Sequence, residues 1–185
     1  TWAGDDHLYT AYGDGNGFEP RTEIKLSLGI SKVSGIPPDI QGMNIRTRTG
    51  ERVGDGKYGP KASGMLMVGG VLYMWVRNTA NAQLAWSDDL GHTWEWGYTL
   101  TEGFGCPTFV NFGPNYDGAR DEYVYSDSQD GPSAYEAYDG MCLMRAPKGD
   151  LRSRDALEFF AGLRDGEPVW TQDISARGRA LSFPG

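Results

Sequence analysis

The residues with chemistry to offer are carboxylates placed beside glycine-rich turns. Asp5 and Asp6 stand just before a strand-like run, and Asp14 lies in the Gly13-Asp14-Gly15-Asn16-Gly17 stretch that follows it. Asp127 and Asp130 come after a second such run, and Glu136 sits next to Tyr135. Carboxyl groups on loops at one rim suit hydrolysis of a glycosidic bond. That reaction needs one protonated carboxyl to assist the leaving group and one ionised carboxyl as base or nucleophile, roughly 5 to 10 Å apart. Each aspartate also has a plainer role, since an aspartate beside glycine caps a turn. Lys61, Arg77 and Asn78 supply donors for hydroxyl or carboxylate groups of a sugar. Tyr12, Trp75 and Tyr135 offer rings to stack on one, although Trp75 on an inner-strand pattern also suits the core.

Other chemistries have less to work with. His7 and His92 are the only histidines, too few for a zinc site and poorly placed for a Ser-His-Asp triad. The Asp14-Gly15-Asn16-Gly17 run has the start of a calcium loop but lacks its later ligands and its bidentate glutamate, so calcium stays open and no other cofactor is implied. A net charge of −8 and no run of Lys or Arg argue against a nucleic-acid partner. No apolar stretch approaches the roughly 20 residues that cross a bilayer, so no membrane span is expected.

These side chains must be carried by strands. Aromatics at 12% with Gly 27 and Pro 10 favour many short strands and tight turns over a helical bundle, and 185 residues are enough for one domain with a sizeable core. Asp5 to Tyr12 and Ile24 to Val33 alternate as strands, the second ending at Ser34-Gly35 and Pro37-Pro38. Asp39 to Pro60 shows no clean period and reads as a long excursion. Ala62 to Val68, Val71 to Arg77 and Gln83 to Trp86 are three strands, the first two joined by Gly69-Gly70. A fourth, Trp94 to Tyr98, follows Ser87-Asp88-Asp89-Leu90-Gly91-His92-Thr93-Trp94. In that stretch Asp89 is expected to fold its carboxylate onto the turn and Gly91 to supply a positive φ. The pattern returns in Cys106 to Phe112, Asp121 to Tyr125, Met141 to Arg145 and Pro168 to Thr171. Arg164 to Trp170 spaces Asp165 from Trp170 as Asp89 is spaced from Trp94. Asp150 to Ala161 is rich in helix formers and stops at Gly162, which predicts one short inserted helix. Cys106 and Cys142 fall on strands separated by the one ending at Tyr125, about two strand spacings apart, and are expected to stay free thiols.

Ser87-x-Asp89-x-Gly91-x-Thr93-Trp94 resembles the Asp-box of sialidase-type β-propellers. That likeness implies a structural turn between the outer strands of a blade, on the face away from the active site. Wider similarity joins Trp2 with Asp5 to Gly15, Lys61 to Met65, Ser133 to Glu136 and Arg154 to Gly162 to a group of mostly uncharacterised bacterial propeller proteins with an arabinan-cleaving branch. A sialidase also needs an arginine triad and a Tyr-Glu pair; Tyr135-Glu136 is adjacent in sequence rather than matched to that pattern, and no triad can be assigned. The resemblance implies four-stranded antiparallel blades over about 1–35, 62–98 and 104–171, the start of another at 178–185, and a five-bladed ring of which this chain holds about three. It also implies a secreted or periplasmic location and a carbohydrate partner. Because the chain opens on Thr1 and three blades leave a ring open, a fragment of a longer protein, or a core completed by another chain, is expected. Two functions remain open: a glycoside hydrolase, with Asp5, Asp6, Asp14, Asp130 and Glu136 as candidate acids and bases, and a non-catalytic glycan binder.

Overall fold

The computed structural model describes residues 1–183 and is all-β, with three antiparallel sheets and no helix beyond single 3-10 turns. The first sheet is β1 (Leu8–Tyr12), β2 (Gly29–Ile36) and β3 (Asp39–Ile45), in that order. The second is β4 (Lys61–Val68), β5 (Val71–Arg77), β6 (Ala82–Ser87) and β7 (Glu95–Leu100), a simple meander. The third runs β8 (Thr108–Phe109), β9 (Tyr123–Gln129), β10 (Gly140–Pro147), β11 (Glu158–Arg164) and β12 (Glu167–Thr171). β13 (Leu181–Ser182) pairs with the start of β10. The leading strands meet, β1 against β4 and β4 against β8. The sheets do not close on one another.

Burial explains this order. Tyr9, Leu28, Ile30 and Ile45 of the first sheet region pack on Met67, Leu72, Met74 and Val76 of the second. From its other face Leu66, Tyr73, Trp75 and Leu84 pack on Phe109, Val124, Met144 and Phe159 of the third. The middle sheet is covered on both sides, so β5 from Leu72 to Val76 is a continuous buried run instead of an alternating one. Trp75 anchors it: the ring stacks on Phe109 at 5.9 Å and its Nε1 donates to Ser126 Oγ across the gap between sheets at 3.1 Å.

Several expectations are corrected. Asp150 to Ala161 is not a helix but a turn, a 3-10 turn at Arg154–Ala156 and the first part of β11. Its propensity loses to tertiary packing, because Leu157 and Phe159 sit two apart on one buried face, and two is a strand period. Gly162, read as a helix stop, has φ 138° and sits at the bulge between β11 and β12. Asp39 to Pro60 is not all excursion, since β3 pairs with β2 from Ile36↔Asp39 to Ile30↔Ile45. The first unit therefore runs past residue 35. Arg164 to Trp170 is a two-residue hairpin with positive φ at Asp165 and Gly166, not a second copy of the Ser87–Trp94 turn. The stretch 178–185, expected to begin a further unit, returns through β13 to the third sheet; residues 184 and 185 lie outside the described residues.

Candidate functional site

Two regions carry the polar side chains singled out by sequence, at opposite ends of the strands. β5 ends at Arg77 and β6 begins at Ala82, so Arg77 and Asn78 lie at one rim, whereas Ser87 closes β6 at the other end.

At that far end Ser87 to Trp94 forms a closed hydrogen-bonded turn. Asp89 Oδ1 accepts from Thr93 N at 2.8 Å and from Ser87 Oγ at 2.8 Å, and its Oδ2 accepts from Thr93 Oγ1 at 2.7 Å. Gly91 N donates to Ser87 Oγ, and Trp94 Nε1 donates to Gly91 O at 3.0 Å. Gly91 takes φ 93°, and a Cβ there would come within 3.3 Å of Ile30. Burial works against the charge on Asp89, yet the bonds from Thr93 and Ser87 hold its carboxyl below the ordinary value.

Asp5 belongs to this same end, in a cavity of about 390 Å³ shared with Lys32, Leu90 and His92. Its carboxylate accepts from Tyr9 Oη at 2.8 Å and from His7 N at 3.2 Å. Asp6 accepts from Trp2 Nε1 at 3.0 Å. β1 separates both from Asp14 by roughly 13 Å of strand, beyond the reach of a hydrolytic pair.

The opposite rim gathers the other group. Lys61, nearly fully buried, places Nζ 2.5 Å from Asp14 Oδ2. Lys61 and Arg77 are paired neighbours of β4 and β5, so both cations reach one pocket of about 240 Å³, lined also by Ala11, Tyr12, Gly13 and Ala62. Gly13 allows this closeness, since a Cβ there would lie 2.9 Å from Ser27 O and 3.9 Å from Lys61 Cγ. Asn78, in the left-handed region at φ 63° that asparagine tolerates, donates from Nδ2 to Gly59 O at 2.8 Å and to Tyr135 Oη at 3.2 Å. Tyr135 Oη donates to Gly56 O at 3.2 Å, and its ring lies 5.6 Å from the Arg77 guanidinium. Asp14, Lys61, Arg77, Asn78 and Tyr135, scattered over 122 positions of sequence, thus belong to one connected rim cluster.

Sequence reasoning missed the second carboxylate here. Lys25 Nζ lies 3.7 Å from Asp14 Oδ1 and 3.0 Å from Asp55 Oδ1, so the two carboxylates share one lysine and lie no more than about 7 Å apart. Lysine contacts hold both below the ordinary range: Lys61 foremost for Asp14, Lys25 for Asp55. No signal in the sequence ties residue 55 to residue 14. The same lysines occupy the carboxylate proposed for a calcium loop.

The remaining candidates form no hydrogen bond or ion pair with these five side chains among the described residues. Asp130 is clamped by Arg177 Nη2 at 2.9 Å and Arg179 Nε at 3.0 Å. Glu136 accepts from Tyr138 Oη at 3.1 Å. Asp127, beside Thr108 in the β8–β9 register, has a buried Oδ1 with no partner, and burial pushes its carboxyl up. Cys106 and Cys142 are free, with Ser128 between them: its Oγ accepts from Cys106 N, and its backbone pairs with Cys142. No family model matches this chain, and no curated protein matches it.

Proposed function

We propose that the chain is a glycan-acting segment of a sialidase-like propeller and that its sugar seat is the rim pocket at Asp14, Lys61 and Arg77. The observation that carries this reading is the convergence of Asp14, Lys61, Arg77, Asn78 and Tyr135, from strand ends and loops of all three sheets, at the end of the strands opposite the Ser87–Trp94 turn. A sugar needs donors, an acceptor and a ring face in one place, and these five side chains supply them. The propeller reading is supported by the stacked antiparallel sheets with adjoining leading strands, and by exposed apolar side chains such as Leu8 and Ile40 on the open face of the first sheet. The Ser87–Trp94 turn then acts as an Asp-box, a structural clasp.

Within this reading the chain is a glycoside hydrolase, with Asp14 as the ionised carboxylate and Asp55 as its partner across the substrate. Two carboxylates gathered on one lysine at the rim support it. Lys25 must leave Asp55 for that carboxyl to hold a proton, and the same bridge favours a second reading, a non-catalytic glycan binder. The test is a screen of the protein against arabinans and other plant, algal and mycobacterial polysaccharides, reading binding and release of reducing ends. Binding lost in Asp14→Asn at unchanged melting temperature supports the seat; release lost in Asp55→Asn with binding retained supports hydrolysis. A wild-type protein that binds no polysaccharide overturns both readings.

A further inference from the structure

Arg77 differs from the other cations of the rim. Lys61 has Asp14, and Lys25 has Asp14 and Asp55. Arg77 is half-buried, yet no carboxylate lies within ion-pair range of it among the described residues. Its Nη1 reaches only the Cys106 sulfur at 3.5 Å, a weak acceptor, and its buried Nε has no acceptor at all. Withdrawing a guanidinium from water without a counter-charge is costly, and so is an unmet buried donor. The fork stays in place because the Tyr135 ring and the β4–β5 ladder hold it at the pocket wall.

The unmet charge has a direction. Arg77 lines the pocket with Lys61, and the local cations Lys25, Lys61 and Arg77 outnumber the carboxylates Asp14 and Asp55. This surplus stands inside a chain of net charge −8, whose overall field repels polyanions. At physiological salt that field fades over about 8 Å, so a compact anion seated in the pocket feels mostly its immediate cations. A guanidinium matches a carboxylate through two parallel bonds, a geometry that a sugar hydroxyl cannot supply.

We infer that the rim pocket recognises an acidic sugar, a uronic acid residue of a polysaccharide, with its carboxylate bound by the Arg77 guanidinium. The inference rests on the glycan reading above and narrows its substrate class. Arg77 is here a binding residue, not an acid or base.

The experiment is calorimetric titration of the protein with galacturonate, glucuronate and mannuronate trimers, their methyl esters, and neutral arabinose and galactose trimers of equal length. At least one free acid is expected to bind, with at least tenfold weakening on esterification, which removes the charge and leaves the sugar. Arg77→Gln is expected to weaken the free acid to the level of its ester, with an unchanged circular dichroism melt showing that the variant folds. Arg77→Lys is expected to fall between the two. If esters or neutral trimers bind as well as the acids, the acidic specificity is overturned while the glycan reading stands. Acid-selective binding that Arg77→Gln leaves untouched overturns the role of Arg77. If no trimer binds, both readings fail at this pocket.

Discussion

The Ser87–Trp94 turn and the Asp14–Arg77 rim gather their polar partners in different ways, although His7 Nδ1 and Trp86 Nε1 at the turn's end are also buried without a partner. In the Ser87–Trp94 turn the polar network closes over a few positions: Asp89 bonds to Ser87 and Thr93, and Gly91 and Trp94 complete the ring. At the rim the partners come from far apart, Asp14 with Lys61, Asn78 with Tyr135, and Arg77 keeps donors with nothing to receive them. Satisfied local networks stabilise a fold; unsatisfied convergent groups represent stability given up for a ligand. The difference is what the proposed function rests on: a locally closed turn at one end, and long-range contacts around an unpaired guanidinium at the other.

The largest effect is expected where both ends share a wall. Trp75→Ala removes the ring stacked on Phe109 and the bond to Ser126, and should cost about 3–5 kcal/mol in urea unfolding. A loss below about 1 kcal/mol would mean that the middle and third sheets are not locked through this side chain.

Asp89→Ala comes next. It removes the acceptor of three hydrogen bonds and should cost about 1–3 kcal/mol at pH 7, while ligand binding per folded molecule stays unchanged. The folded-state carboxyl lies below its ordinary value, so its contribution is present above pH ~4 and fades as pH falls through that depressed value. The stability gap between wild type and variant should therefore narrow from pH 7 to pH 3. A gap of unchanged size at every pH from 7 down to acid unfolding would assign the stability to packing instead of charge.

Arg77→Gln tests the contrast from the other side. Replacing a half-buried cation that has no carboxylate partner should change stability by less than about 1 kcal/mol, or raise it. A cost as large as that of Asp89→Ala would show that Arg77 is a structural residue and would erase the distinction between the ends.

The smallest effect concerns the thiols. Burial, helped by the neighbouring Asp130, pushes the Cys142 thiol up to about 11, so it stays protonated at pH 8; Cys106 is partly exposed. Iodoacetamide should modify the native protein once, at Cys106, with both sites reacting only after unfolding. A Cys106–Cys142 peptide in unreduced mass spectra would contradict the placement of Ser128 between them.

The contrast also marks what the sequence by itself determined. Features built from neighbours were legible: the Gly69-Gly70 hairpin, the strands from residue 61 to 100, and the turn with its Ser87, Asp89, Gly91, Thr93 and Trp94. In each, the interaction that decides the conformation lies within a few residues, so spacing and residue type suffice. Glu158 to Arg164 was not legible, because its helix formers favour one structure locally while pairing with β10 and β12 and the burial of Phe159 impose another. Nor was β3, whose Gln41, Gly42 and Asn44 acquire a period only once β2 lies beside them. The rim shows the same limit: Asp14, Lys61, Arg77, Asn78 and Tyr135 could each be named from type and setting, but only the packing of three sheets brought Asp14, Lys61 and Arg77 to one pocket with Asn78 and Tyr135 beside it, added Asp55 through Lys25, and left Asp5 and Asp6 at the far end of β1. Contacts between residues 47 positions apart, as between Asp14 and Lys61, depend on the direction and register of every strand between them, which no local pattern encodes.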